Sequence, residues 1–167
     1  MRADTAKSAA WGAISGIANV AALAFAPASY PGWSFTLVAV GYGLLLPLLA
    51  VLQVRHRPVR DSGSILGTAA GLATVTVGIA ASANADLAVP ALFVHGMWWW
   101  TIGKIWAETG ILPRSLGIAT MVLAVIALGV AVVSAPLAMA TATIWVSERA
   151  ALGVWTLGLS FALWRAR

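Results

Sequence analysis

Residues 64–106 read SILGTAAGLATVTVGIAASANADLAVPALFVHGMWWWTIGKIW and contain two apolar runs. The runs are Ser64–Ala83 and Leu87–Trp106, and three residues separate them. A helix needs about 20 apolar residues to cross the hydrocarbon core of a bilayer. Each run has that length, so the sequence predicts two neighbouring transmembrane helices joined by a tight turn.

The same pattern recurs along the 167 residues of the chain. Four further apolar runs of spanning length flank the first two: Ala9–Ala26, Ser34–Val54, Ser115–Ala135 and Thr141–Trp164. Pro47 lies inside the second of the six runs, where a proline should kink the helix. We therefore expect an all-α fold: one transmembrane domain over residues 1–167, a polytopic bundle of six helices with short loops.

The composition indicates the same environment. Hydrophobic residues make up 61% of the chain and charged residues 9%, whereas a soluble domain carries roughly 25% charged residues. A soluble protein this apolar would expose large hydrophobic patches and aggregate. The chain has no cysteine, which excludes disulfide scaffolds and thiolate metal sites. The sequence argues against a soluble enzyme, and it implies no cofactor.

The basic residues predict an orientation in the membrane. The chain has ten Lys and Arg residues against five Asp and Glu residues, and Arg149 alone would lie on the outer side of a six-helix bundle. The inner side would hold the others: Arg2, Lys7, Arg55, Arg57, Arg60, Lys104, Arg114, Arg165 and Arg167. Short loops rich in Lys and Arg stay in the cytoplasm, so we expect both termini there, in a bacterial inner (plasma) membrane.

The same distribution bears on partners. Because the basic residues lie between apolar runs, their excess reflects orientation and gives no reason to expect nucleic-acid binding. The loop that holds Arg55, Arg57 and Arg60 is expected to contact anionic lipid headgroups.

An alternative interpretation concerns the first run. Arg2 and Lys7, the apolar segment after them and the sequence Ala24-Phe25-Ala26 resemble a secretory signal with an A-x-A cleavage site. Cleavage there would leave five helices with the N-terminus outside. The run is longer than a usual signal core and contains Asn19, which favours a retained helix.

The fourth run carries the strongest candidate for a functional site. His95 is predicted about 12 Å from the outer end of its helix, near the bilayer midplane, where an ionisable group is costly and marks a functional hypothesis. Trp98, Trp99 and Trp106 share its helix face, so we predict a ligand pocket with aromatic walls. The alternative is a neutral histidine bonded to a backbone carbonyl or to a hydroxyl of a neighbouring helix.

A metal site at His95 is not expected. The other histidine, His56, is predicted to lie in a cytoplasmic loop, out of reach of His95. The sequence also suggests no deep carboxylate that would supply a second ligand.

Four charged residues form a candidate polar pathway. Lys104 and Glu108 are spaced to pair on one helix face near the inner interface. Glu148 and Arg149 are expected near the outer end of the last helix. There they would line a vestibule, pair with Asp86, or begin the helix at headgroup level.

A proton or cation relay from His95 through Lys104 to Glu108 would also need polar groups on other helices. Few residues offer them: Asn19, Tyr42 and Thr74. An ion pathway usually places several polar groups on facing helices, which weakens this hypothesis.

Glycines at GxxxG spacing predict where helices pack. Small residues let two backbones approach closely inside a bilayer. They occur in the first and third runs, at Gly12, Gly16, Gly63, Gly67 and Gly71. We expect these faces to pack within the bundle, and a homo-oligomer through them stays an open alternative.

The turn between the fourth and fifth runs resembles one in known proteins. Residues 109–117 read TGILPRSLG, and a Leu-Trp-Arg motif lies near the end of the chain. This pattern is similar to a bacterial family of polytopic membrane proteins of unknown function, over the second half of the chain. The resemblance implies a six-helix membrane protein and assigns no catalytic residues.

Three functions fit these features. The first is a non-enzymatic membrane protein that binds a hydrophobic small molecule or a partner membrane protein, as a sensor, scaffold or accessory subunit. The second is a small transporter or channel that uses His95, Glu108 and Glu148. The third is a lipid or terpenoid enzyme in which His95 and an acidic residue act as acid and base. Glu108 is not that residue, because it lies about 20 Å from His95 along the same helix.

Overall fold

The computed structural model of the chain describes residues 2–25, 31–134, 136–137 and 139–165, and the regular elements in these ranges are helices. The all-α prediction is therefore confirmed. The α-helices are α1 (Arg2–Phe25), α2 (Pro31–Gly43), α3 (Leu45–His56), α4 (Asp61–Ala83), α5 (Ala88–Thr109), α6 (Arg114–Val133) and α7 (Thr141–Arg165). A 3₁₀ turn, Ala85–Leu87, joins α4 to α5, so the predicted helix hairpin is present.

Three helical segments in the described part of the chain are long and apolar enough to cross a membrane. They are Ser34–His56, Asp61–Ala83 and Arg114–Val133. The helices α1, α5 and α7 are equally long, with 22 to 25 residues each. They carry more polar residues, among them His95 and Lys104 on α5 and Glu148 and Arg149 on α7, and these lower their mean hydropathy.

Several predicted helix ends differ from the observed ones. The first helix begins at Arg2, ahead of the predicted Ala9, and α5 continues past Trp106 to Thr109. Ala26 and Ala135, the predicted ends of the first and fifth runs, lie outside the described residues. So does part of the predicted cleavage site, which includes Ala26.

The second predicted helix is interrupted in the middle. The chain leaves α2 at Gly43, passes through a turn at Leu44 and enters α3 at Leu45. A proline ring clashes with the carbonyl four residues earlier, and for Pro47 that carbonyl belongs to Gly43. The interruption therefore lies where the proline in the sequence predicts a kink. Ser15 of α1 donates a hydrogen bond to the carbonyl of Gly41, 2.6 Å away, and ties the segment before the kink to α1.

Helix α5 lies at the centre of the packing. It contacts α4, α6 and α7, while α1 packs on α7 and on the α2–α3 segment. Backbones come close at two glycine crossings. A Cβ atom added to Gly117 of α6 would lie 2.9 Å from the carbonyl oxygen of Gly103 on α5. One added to Gly16 of α1 would lie 2.8 Å from the carbonyl oxygen of Gly153 on α7. Only glycine allows such approaches.

The other predicted packing glycines also face neighbouring helices. Gly12 of α1 lies against Ser160 and Leu48, and Gly71 of α4 lies against Leu49 and Trp98. Ile102 of α5 would be 3.3 Å from a Cβ atom on Gly67, and Ile105 would be 3.2 Å from one on Gly63. Each of these contacts is within the chain.

The core between α5 and α7 is aromatic. Trp155 of α7 lies with its ring centroid 5.2 Å from that of Trp98, 5.8 Å from that of Trp99 and 6.2 Å from that of Trp106. All four rings are buried. The Nε1 of Trp155 donates to the hydroxyl of Thr120, 2.9 Å away, which links this cluster to α6.

The outer faces of the bundle are apolar. The exposed fraction of the residue surface is 70% for Val132, 66% for Val154 and 59% for Ile17. It is 1% or less for His95, Glu148 and Arg149. The burial of Glu148 and Arg149 together with exposed aliphatic faces is unusual for a soluble protein.

Candidate functional site

His95 connects three helices inside the bundle. Its Nδ1 lies 2.6 Å from Oε1 of Glu148 on α7 and 2.9 Å from the carbonyl oxygen of Ala91, one turn earlier on α5. Its Nε2 lies 3.2 Å from the hydroxyl of Tyr42 on α2. Both neighbours of Nδ1 are acceptors, so this nitrogen carries a proton. In the neutral ring, Nε2 then accepts the hydrogen bond that the Tyr42 hydroxyl donates.

Helical geometry explains why these side chains meet. His95 and Glu148 each lie seven residues, or about 10 Å, beyond the first residue of their helices, Ala88 and Thr141. Tyr42 lies a little deeper along the α2–α3 segment. All three helices begin at the same end of the bundle, so the three side chains reach one level.

Arg149 completes a buried ionic cluster. Its Nη2 lies 3.6 Å from Oε2 of Glu148 and 3.5 Å from the carbonyl oxygen of Gly78 on α4. The guanidinium carbon lies 4.6 Å from the centroid of the Tyr42 ring, within cation–π range. Successive residues of a helix point about 100° apart, so Glu148 faces α5 while Arg149 reaches α4 and α2. We call Tyr42, His95, Glu148 and Arg149 the buried cluster.

The charges of the buried cluster balance. Arg149 stays protonated in any protein environment, and an ionised Glu148 neutralises it. The buried cluster therefore carries no net charge with a neutral His95.

Several polar atoms around the buried cluster have no hydrogen-bond partner among the described residues. They are Oε2 of Glu148, Nε and Nη1 of Arg149, Oγ1 of Thr74 and Nε1 of Trp99. Buried polar atoms in proteins are nearly always bonded, and those left over mark strain or function. These atoms are where a small polar group would find partners.

A cavity of about 80 Å³ lies next to Glu148 and Trp99, two of the residues that carry these atoms. Helices α5, α6 and α7 line this half-open cavity, and its polar lining comes from Glu148, Ser147 and Trp99. The remaining walls are aliphatic: Leu92, Leu123, Ile126, Ala127, Val130 and Ala151. Apolar walls with a few convergent polar groups are typical of a small-molecule site.

The four residues predicted for the pocket do not line one common site in the structure. Trp99 lines the cavity, whereas Trp98 and Trp106 pack on Trp155 and belong to the core. His95 contacts the site through Glu148. The expectation that no deep carboxylate lies near His95 is wrong, because Glu148 is buried beside it.

The predicted polar pathway also separates into two parts. Glu148 pairs with His95 and with Arg149, and the ion pairs among the described residues do not include the pairing with Asp86 that was one alternative. At the other end of α5, Glu108 pairs with Arg60, and its Oε1 lies 3.8 Å from Nζ of Lys104. Thirteen residues of helix, about 20 Å, separate His95 from Glu108.

The placement of His56 corrects another expectation. It is the last residue of α3 and is buried, not part of an exposed loop. Its Nε2 lies 2.7 Å from Nε1 of Trp106, and because the indole only donates, the imidazole nitrogen accepts. The pair joins the ends of α3 and α5.

The predicted headgroup residues lie beside this pair. Arg57 pairs with Asp61, with Nε 3.5 Å from Oδ1, and Arg60 pairs with Glu108. Arg55 is partly buried at the end of α3. Over the residues that the structure describes, no three His, Asp or Glu side chains come together as metal ligands would.

Comparison of the chain with family models, with curated proteins and with solved structures found no match.

Proposed function

We propose that this chain is a six-helix membrane protein that binds a small, mostly apolar ligand with one polar group, next to Glu148. One observation carries the proposal. Glu148 is 1% exposed, has a carboxylate oxygen that accepts no hydrogen bond among the described residues, and lines an apolar cavity. A neutral hydrogen-bond donor on a ligand would supply the missing bond.

The membrane part of the proposal has its own support. The bundle buries Glu148 and Arg149 and exposes aliphatic side chains, and three helical segments qualify as spans by length and composition. We propose that α1, α5 and α7 cross as well, because the polar residues in their middle parts, Asn19, His95, Glu148 and Arg149, are buried and bonded inside the bundle. The positive-inside distribution would then place both termini in the cytoplasm of a bacterial cell.

The ligand is expected to be small. A typical small-molecule pocket measures roughly 300–1,000 Å³, so a cavity of about 80 Å³ suits only a group of a few heavy atoms. Glu148 would accept from the ligand, and Nε1 of Trp99 would donate to it. Most of the lining is aliphatic, which favours a short alkyl group with one amide or hydroxyl group.

Binding is a better account than catalysis. His95 and Glu148 are buried and already bonded to each other and to Tyr42, which leaves one oxygen of Glu148 for recognition of a ligand. A sensor or an accessory subunit needs only recognition. The transport hypothesis from the sequence also used Glu108. This residue lies far from the cavity and is paired with Arg60.

A proton-coupled transporter is the second candidate, and the buried ionisable residues favour it. Chains of Glu and His within membrane helices commonly mark proton relays. Here the hydroxyl of Tyr42, the imidazole of His95 and the carboxylate of Glu148 form one hydrogen-bonded chain across three helices. Proton uptake that is lost in His95→Gln proteoliposomes would favour this function over simple binding.

Native mass spectrometry tests the binding proposal. The protein would be purified in a mild detergent, and the species that remain bound would be released and identified. We expect a stoichiometric small molecule on the wild-type chain and its loss from Glu148→Gln, with Asp86→Asn as an exposed acidic control that keeps it. Bulk phospholipid alone on the wild-type chain would contradict the proposal, and so would equal retention by Glu148→Gln.

A further inference from the structure

A second and larger groove lies at the opposite end of the bundle from Glu148. It has a volume of about 330 Å³ and runs between α4 and α5. One end is polar, with Arg60, Ser62 and Lys104. The other end is apolar, with Leu66 and Trp100, whose exposed fractions are 58% and 41%.

The polar end has an unbalanced positive charge. Arg60 and Lys104 both pair with Glu108, and their side chains are 44% and 50% exposed. One carboxylate thus faces two cations, which leaves one positive charge at the mouth of the groove. An anion with several acceptor oxygens, such as a phosphate diester, would satisfy both cations together.

The apolar end runs toward the middle of the bundle. Trp100 lies one helical turn from Lys104, about 6 Å nearer the centre of α5, and Leu66 lies about 9 Å along α4 from Arg60. Ile105 forms the buried floor. The glycine at position 63 keeps the groove open between the two helices, since a side chain there would contact Arg60 and Ile105.

We infer that this groove binds an anionic phospholipid. Its phosphate would lie between Arg60 and Lys104, and its first acyl segment would lie on Leu66 and Trp100. The groove combines a positive mouth with an apolar body, and it begins at the end of α4, a helix long and apolar enough to span a membrane. The site is separate from the cavity at Glu148, so the inference rests on the membrane part of the proposed function and not on the ligand at Glu148.

The site differs from a general basic surface. Arg57 forms an ion pair with Asp61 and does not line the groove, although it lies in the same basic segment as Arg60. Lys104 comes from a different helix, 44 residues further along the chain than Arg60. A lipid held here would clamp α4 to α5, next to the His56–Trp106 pair that joins α3 to α5.

The test is a lipid competition followed by native mass spectrometry. The purified full chain would be mixed with equal amounts of phosphatidylglycerol and phosphatidylcholine in detergent. We expect a several-fold preference for phosphatidylglycerol, which falls by about fivefold for each of Arg60→Gln and Lys104→Gln. Arg114→Gln, which removes an exposed charge outside the groove, should keep the preference.

A gain of binding gives an independent check if the loss variants fold poorly. Glu108→Gln removes the carboxylate that competes for both cations, so its preference for phosphatidylglycerol should rise above that of the wild-type chain. Millimolar inorganic phosphate should not displace the lipid, because it makes no contact with Leu66 and Trp100. The inference fails if the wild-type chain shows no preference, if Arg114→Gln loses it equally, or if free phosphate displaces the lipid.

Discussion

The Nδ1 of His95 on α5 lies 2.6 Å from Oε1 of Glu148 on α7, and both side chains are fully buried. The two residues are 53 positions apart in the sequence. Their contact holds two helices together and places a carboxylate at the edge of an apolar cavity. The stability of the bundle and the proposed ligand site therefore depend on the same pair.

Loss of the charge on Glu148 should destabilise the fold. Glu148→Gln leaves the guanidinium of Arg149 inside the bundle without a counter-ion, and breaking a buried pair in this way costs about 3–5 kcal/mol. The free energy of unfolding in detergent, measured by denaturant titration with circular dichroism, gives the value. The double variant Glu148→Gln with Arg149→Met removes both charges and should recover part of the loss. Wild-type stability in the single variant would show that the pair contributes nothing.

A glycine pair on one helix tests the packing of α5 against α6. Gly117→Ala places a methyl group 2.6 Å from the backbone nitrogen of Ala107, so the helices must separate, at a cost of about 1–3 kcal/mol. Gly129 lies on the same helix with no atom within 4 Å of an added Cβ. Gly129→Ala should therefore leave stability unchanged or raise it by up to about 1 kcal/mol. Equal thermal midpoints for the two variants would refute the close crossing.

The His56–Trp106 hydrogen bond predicts a difference between two substitutions. His56→Leu leaves the buried indole N–H of Trp106 without an acceptor, which costs about 1–3 kcal/mol. His56→Gln offers a carbonyl oxygen in its place and should lose less. Thermal midpoints in the same detergent compare them. A His56→Leu variant at least as stable as His56→Gln would mean that the hydrogen bond does not stabilise the end of α3.

The absence of cysteine from the sequence makes the topology simple to measure. Single cysteines at Ser62, Asp86 and Ala140, all exposed, would be labelled in intact cells with a membrane-impermeant maleimide. Six crossings with cytoplasmic termini predict labelling of Asp86→Cys and Ala140→Cys from outside and protection of Ser62→Cys until the cells are opened. Outside labelling of Ser62→Cys would reverse the proposed orientation.

The sequence predicted the helices better than their contacts. Apolar run length located the α4–α5 hairpin, and Pro47 located the interruption between α2 and α3. Both features depend on local chemistry, which a single segment contains. The extension of α1 back to Arg2 was missed, because a helix continues beyond the apolar residues that identify it.

The buried cluster was only partly predictable. The sequence identifies His95, because an ionisable residue deep in an apolar helix is costly. It does not identify Glu148 as the partner, because residues near a helix end usually lie at headgroup level. Equal distances from the helix starts were the available signal, since they put His95 and Glu148 at one depth. Which helix faces meet is a tertiary property, and spacing within one segment does not contain it.

The tryptophan wall shows the same limit. Trp98, Trp99 and Trp106 do share the face of α5 that carries His95, and all are buried. The sequence of α5 alone gave no reason to expect Trp155 from α7 to fill the space beside them. Only Trp99 is left to line the cavity.

That difference between neighbouring tryptophans gives the decisive comparison. Trp99 and Trp98 both carry a buried indole N–H without a hydrogen-bond partner among the described residues, but only Trp99 lines the cavity beside Glu148. Native mass spectrometry of Trp99→Phe and Trp98→Phe would compare how much of the co-purifying small molecule each variant retains. Binding at this cavity predicts that Trp99→Phe loses most of the ligand while Trp98→Phe keeps it at the wild-type stoichiometry. Equal retention by the two variants would contradict a ligand site at Glu148.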